Sequence, residues 1–167
     1  MARTAIVADA SPLIALARID RLALLDLLFE QVLVPQAAAD ECTVELHRPG
    51  AKTIHEALAD GSLEVREVQS GHLLEELTQL LDEGEAQALV MARDTGFSLL
   101  IDERRGRAVA TELGLRVLGT GGLLVAAKQS GHVAEVAPLL AALRERGYRL
   151  SDRLVEAILE RCDEGPR

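Results

Sequence analysis

Four carboxylates stand where a parallel α/β chain does its chemistry: Asp9, Glu41, Glu85 and Asp102. Asp9 closes the apolar run Ala5 to Ala8, and Asp102 closes the run Phe97 to Ile101. Glu41 lies on a helical stretch that follows a second strand, Val32 to Val34. Glu85 lies in the first turn of the helix preceding the strand that ends at Asp102. In open parallel sheets, sites form beyond the carboxyl ends of the strands. If the strands ending at Asp9 and Asp102 are neighbours, the four acids converge there. Converging carboxylates repel, which raises their pKa values and destabilises the fold unless positive charge lies between them. Mg²⁺ and Mn²⁺ take hard oxygen ligands of this kind. Two such ions can clamp an in-line phosphodiester displacement.

Each acid also has a structural role open to it. Asp9 can form an Asx turn before Ser11. Glu41 can be a solvated helix residue. Asp82 and Glu85 fit a capping box, D-x-x-E, with Glu85 at its third helical position. Asp102 can cap the next helix, and Glu103 can sit in its first turn, where the helix dipole favours an acid. Arg104, Arg105 and Arg107 flank Asp102 and are the candidate phosphate contacts. The alternative for them is a solvated helix face paired with Glu103 and Glu112.

The elements that must position these residues alternate between strand and helix. Strands are expected at 5–8, 32–34, 63–68, 97–101 and 116–118. Ser11-Pro12 is expected to cap and open a helix. Further helices are expected at 22–29, 36–46, 72–81, 82–92, 104–113 and 133–146, with Pro138 near a helix start or a kink. Gly119-Thr-Gly-Gly122 is a turn into a helix ending near Lys128, and lacks the spacing of a dinucleotide-binding loop. Ser151 caps a last helix with Leu154, Val155, Ile158, Leu159 and Cys162 on one face. Residues 48–62, polar and holding Pro49 and two glycines, are expected to be a loop. The alternation implies a three-layer α/β/α sandwich around a mainly parallel sheet. A single domain is expected over 1–162, with 163–167 a disordered tail. The Ala/Leu-rich segment 133–143 and the last helix are expected to supply an apolar patch for a homodimer.

Composition narrows the function further. The 167 residues carry 27 acids against 18 lysines and arginines, a formal charge of −9. No global positive field draws in nucleic acid, so any RNA must be held by a local basic patch or through metal ions. Aromatic residues are 2%, which excludes a site built on stacked aromatics. The two cysteines, Cys42 and Cys162, form no CxxC spacing, and the four histidines form no metal-binding pair. Reduced cysteines and the lack of a long apolar run point to a cytoplasmic protein without a membrane span. A response-regulator-like phosphoacceptor would need a late lysine near the acids, and Lys128 is the only late one, in mid-helix.

Several segments together resemble the PIN-domain family of metal-dependent ribonucleases, and within it a prokaryotic branch akin to the VapC toxins. They are Val7 to Ile14, Val34 to Glu41, Gly84 to Ala92, Leu99 to Arg107, Leu118 to Leu124 and Gly147 to Asp152. The resemblance implies a PIN-like fold, binding of Mg²⁺ or Mn²⁺, and hydrolysis of RNA phosphodiester bonds. It implies Asp9, Glu41, Glu85 and Asp102 as catalytic residues, with Asp9, Glu85 and Asp102 as metal ligands. Ser11 and Glu103 support them, and Arg104, Arg105 and Arg107 bind RNA phosphate. It also implies an antitoxin partner and a homodimer. The alternative is a catalytically inactive PIN-like module that binds RNA or a protein. The branch commonly has Asp at the third acidic position, where this chain has Glu85, longer by one methylene.

Overall fold

The computed structural model describes residues 4–166. Strand β1 (Thr4–Ala8) leads into α1 (Ala10–Arg18) and α2 (Leu24–Leu28). Strand β2 (Phe29–Pro35) is followed by α3 (Gln36–Thr43), α4 (Ala51–Asp60) and β3 (Glu64–Arg66). Helices α5 (His72–Thr78) and α6 (Glu83–Thr95) precede β4 (Ser98–Leu100), and α7 (Arg104–Glu112) precedes β5 (Val117–Leu118). The chain ends in α8 (Thr120–Gln129), α9 (Ala137–Glu145) and α10 (Asp152–Arg161). All strand pairs are parallel, in the order β3-β2-β1-β4-β5.

The central strands are apolar on both faces because both faces are covered. Ile6, Ala8, Val32, Val34 and Leu100 point into a core completed by α1, α2, α8, α9 and α10. Val7, Leu33, Leu99 and Ile101 point the other way, against α5, α6 and α7. This is the expected three-layer α/β/α sandwich. Strand β1 lies between β2 and β4, so the chain reverses its direction of sheet growth at β1. The Asp9 amide donates to the Leu100 carbonyl at 3.0 Å, which joins the ends of β1 and β4. The condition for the acids to meet is therefore satisfied for these two strands.

Residues 48–62 are not a loop. Helix α4 occupies most of them, between Gly50 and Gly61, both in the left-handed region (φ 86° and 85°). Ala51 and Ile54 are buried, with Ala57 and Leu58 packed behind them. Those four positions have helical spacing, but the polar residues between them mask it. Helix α1 starts at Ala10, with Asp9 as its N-cap residue, so Ser11 and Pro12 lie inside its first turn. In the segment 133–143 the large residues Val136, Leu139, Leu140 and Leu143 are buried in the core, which leaves Ala134, Ala137 and Ala141 exposed. No helix among the described residues is long and apolar enough to cross a membrane.

The expected disordered tail is held down at Glu164; Arg167 lies outside the described residues. The Glu164 carboxylate accepts from Lys128 Nζ (2.5 Å) and from the amides of Val136 (2.7 Å) and Ala137 (2.8 Å). It thereby caps the start of α9 from outside that helix and occupies the lysine a phosphoacceptor would need. Removing the carboxylate leaves two amides and an ammonium without their partner, each group costing about 1–3 kcal/mol when buried. Glu164→Ala is expected to lose about 2 kcal/mol. Thermal denaturation should show a Tm lower by about 4–8 °C.

Candidate active site

The site forms where α1, α3, α6 and the end of β4 meet at the carboxyl edge of the sheet. Asp9 is 2% exposed, and its Oδ1 has no hydrogen-bond partner among the described residues. Burial pushes its pKa up from 3.8 to about 7. The Ala10 amide lowers it, and the charges of Glu85, Asp82 and Glu41 raise it further. Four carboxylates therefore share one electrostatic neighbourhood with no compensating cation. None of Asp9, Glu41, Asp82 or Glu85 forms an ion pair among the described residues.

Glu85 is set by the first turn of α6. The Asp82 side chain accepts from the Glu85 amide (2.8 Å), and Glu85 Oε2 accepts from the Asp82 amide (3.3 Å), completing a capping box. Glu85 is nevertheless buried beside the other acids, and its pKa rises to about 7 through burial and then the charge of Asp82, with smaller contributions from Glu103 and Glu41. Glu41 comes from α3, which packs directly against α6. A Cβ at Gly84 would stand 3.4 Å from Glu41 Oε2 and 3.5 Å from Ala38 Cα, so glycine lets the two helices approach. Burial and the charge of Asp82 raise the Glu41 pKa. Behind them Cys42 is buried, its thiol pushed up to about 12 by burial and by Glu41 and Asp9. A cleft of about 390 Å³ opens on the Glu41 side, lined by α3 and α6 residues including Asp40, Asp82 and Gln87.

Asp102 is placed differently. It does not cap α7; Glu103 does, accepting from the Gly106 amide (2.8 Å). Both Asp102 oxygens instead turn to the start of α8. Oδ1 accepts from the Thr120 amide (2.7 Å) and Oδ2 from Thr120 Oγ1 (2.6 Å). Asp102 thus serves as an external cap for α8, where the helix dipole favours negative charge. The Tyr148 hydroxyl lies beside it, and its pKa is raised by burial and by the Asp102 charge and hydrogen bond. Thr120 and Tyr148 are parts of the site that sequence reasoning missed. Thr120 carried a signal, as a hydroxyl at a helix start two residues past a strand; Tyr148 carried none. Ser11 is half-buried in the first turn of α1, and Arg104 and Arg105 are exposed on α7. Arg107 Nη1 donates to the Ile101 carbonyl at 3.2 Å.

Matched against protein families, residues 5–164 fit a family model described as a PIN domain. The chain belongs to the PIN-domain family. No curated protein matches it. Among solved structures, it is similar to a domain of a functionally unknown protein from Methanocaldococcus jannaschii DSM 2661. That likeness has a TM-score of 0.46 and 17% identity, over 71% of this chain and 91% of the other.

The PIN domain is a nuclease-type fold that generally uses divalent metal ions. The unpartnered Asp9 Oδ1 among repelling carboxylates is the donor chemistry a hard cation takes. Among the described residues, no three His, Cys, Asp or Glu side chains are drawn together closely enough to hold an ion alone. The donor set therefore fits a partly hydrated ion on one or two carboxylates, as Mg²⁺ prefers, and not an all-protein cage.

The raised acids give the metal-free PIN domain a defined pH response. A carboxyl with a raised folded pKa binds more protons folded than unfolded, so stability falls as pH rises. For Asp9 and Glu85 the loss runs from the unfolded values of 3.8 and 4.5 up to about 7. In EDTA these two groups are expected to make Tm lower near pH 8 than near pH 5. Mg²⁺ should then raise Tm more at the higher pH. Asp9→Asn, which removes the charge at constant size, should flatten both differences in thermal melts.

Proposed function

We propose that this PIN domain is a Mg²⁺- or Mn²⁺-dependent endoribonuclease that hydrolyses RNA phosphodiester bonds. Following its resemblance to the VapC-like branch, we assign it as the toxin of a type II toxin–antitoxin pair. The observation that carries the proposal is the buried, unpartnered Asp9 Oδ1 where two strand ends meet, with Glu41 and Glu85 beside it. In this reading Asp9 and Glu85 are metal ligands. Asp102 would join them through the ion's water shell, using the lone pairs that Thr120 leaves open. A bound divalent ion lowers the pKa of a water and neutralises charge on the phosphate.

The protein's own groups do the rest. Glu41, its pKa raised by burial and the Asp82 charge, is a stronger base than a free carboxylate. Its carboxylate takes the proton of the attacking water as the water oxygen bonds to phosphorus. The departing nucleoside oxygen leaves with the electron pair of its broken P–O bond and takes up a proton. Glu103 holds the turn after Asp102 through the Gly106 amide, and Ser11 supports the site from the first turn of α1. Arg104, Arg105 and Arg107 grip flanking phosphates. A cognate antitoxin and a second copy of the chain are the protein partners, in the cytoplasm. Val44 and Leu46 support a protein partner, since they are 73% and 50% exposed just past α3, the helix that carries Glu41.

A second reading, a catalytically inactive PIN-like module that binds RNA or a protein, draws on Asp102. Both of its oxygens are already engaged by Thr120, and no three-carboxylate cage stands ready. Cleavage of a structured RNA pool with Mg²⁺, Mn²⁺ or EDTA separates the two. The ribonuclease should cut only with metal, and Asp9→Asn and Asp102→Asn should each lose more than about 100-fold in rate while keeping their fold, a loss of the size expected for a group in the chemistry. Cutting that survives both substitutions, or no cutting by folded protein that binds RNA, rejects the ribonuclease.

A further inference from the structure

Asp102 also forms one wall of a second cleft, of about 590 Å³, beyond the ends of β4 and β5. Four guanidinium groups line it: Arg104 and Arg107 from α7, Arg149 from the segment before α10, and Arg161 from the end of α10. Among the described residues none of the four pairs with a carboxylate, whereas Arg48, Arg66, Arg93 and Arg144 all do. In a chain of net charge −9, four guanidiniums around one opening outnumber its one carboxylate, Asp102, and leave a local positive excess. Such a cluster attracts anions, and the planar fork of arginine matches phosphate oxygens.

The remaining walls fit a nucleotide better than a bare anion. Tyr148, the chain's only tyrosine, lines the cleft beside Asp102, with Leu150 and Leu154 near it as apolar surface. Gly119 keeps the floor open where Arg107 crosses it. A Cβ there would collide with Arg107 Nη1 and stand 3.2 Å from Asp102 Oδ1. Asp102 walls this cleft, and the ribonuclease reading places it at the ion, so on that reading a strand cut there continues into the cleft. An acidic peptide would satisfy the guanidiniums but has no use for that continuity.

We propose that this cleft is a binding subsite for a nucleotide of single-stranded RNA flanking the bond that is cut, with Arg149 and Arg161 gripping its phosphate. The proposal rests on the ribonuclease reading for its substrate class, and its test does not depend on cleavage. Binding of a short fluorescein-labelled oligouridylate is followed by anisotropy in EDTA across a KCl series. The double variant Arg149→Ala/Arg161→Ala should bind at least about 10-fold more weakly, and its log K against log salt slope should be shallower by about 0.7, for the one phosphate the pair holds. Arg149→Lys should keep the slope, since it keeps the charge. Arg21→Ala, at the opposite edge of the sheet, should match the parent chain. Unchanged affinity and slope in the double variant overturn the subsite even if the protein cuts RNA. Equal displacement of the RNA by polyglutamate also overturns it, in favour of an acidic protein segment. Arginine-dependent binding without any cleavage leaves the subsite standing and rejects the ribonuclease.

Discussion

Asp9 is buried at the carboxyl end of the central strand, with Glu41, Asp82 and Glu85 raising its pKa and no described cation to balance them. That repulsion is the constraint around which the carboxyl edge of the sheet is arranged. Nothing in packing favours it, since an apolar residue at the end of β1 would be more stable. The fold tolerates it by other means. Strand β1 is held on both sides by parallel partners, and its end is fixed to β4 through the Asp9 amide. Gly84 removes the side chain that would hold α6 away from α3, so two helices bring acids to the same edge of the sheet. The strain of like charge is thus maintained by the surrounding hydrogen bonds and aliphatic packing, which is how sites that need a ligand are commonly kept ready for one.

The two clefts divide the charge of this edge. Acids gather on the α3–α6 side and unpaired arginines on the α7–α10 side, with Asp102 on the wall of the arginine cleft. Asp102 can hold that position because Thr120 satisfies both of its oxygens and the start of α8 stabilises its charge. A carboxylate left loose there would be drawn to Arg107, whose guanidinium instead reaches the Ile101 carbonyl. Fixing Asp102 on Thr120 therefore keeps the arginines available to an external anion. An acidic protein can hold RNA in this way without a positive overall field.

The sheet was legible because its strands are continuous apolar runs, each ended by a charge or a proline: Ala8 before Asp9, Val34 before Pro35, Ile101 before Asp102. Their ends named the acids directly. What stayed hidden depends on contacts distant in sequence. Helix α4 was obscured because it buries only a narrow stripe, Ala51, Ile54, Ala57 and Leu58, and its remaining positions are polar. The segment around Leu139 reads as exposed apolar surface because nothing local shows that Leu139, Leu140 and Leu143 join the core. Glu164 looked like part of a frayed end because its partners lie 28 and 36 positions away. Arg149 and Arg161 belong to a cleft with Arg104 only once α10 has folded back past β5. The order of the strands was likewise a condition in the sequence and became a fact only in the sheet.

Glu85 shows that the structural and chemical roles of an acid need not compete. One of its oxygens, Oε2, closes the capping box on the Asp82 amide, in a long bond of 3.3 Å. The other has no partner among the hydrogen bonds of the described residues. The box fixes where the side chain goes, and burial beside Asp9 and Glu41 fixes what it meets there. The extra methylene relative to the aspartate common at this position in the VapC-like branch has a local use. A carboxylate at the third helical position must fold back a full turn to reach the N-cap amide, and glutamate has that reach. An aspartate there would end nearer its own backbone, leaving the Asp82 amide to water and the carboxylate free to swing. In this chain the longer acid gives up freedom of motion and gains a fixed direction, and a fixed oxygen is the better ligand for an ion with strict geometry.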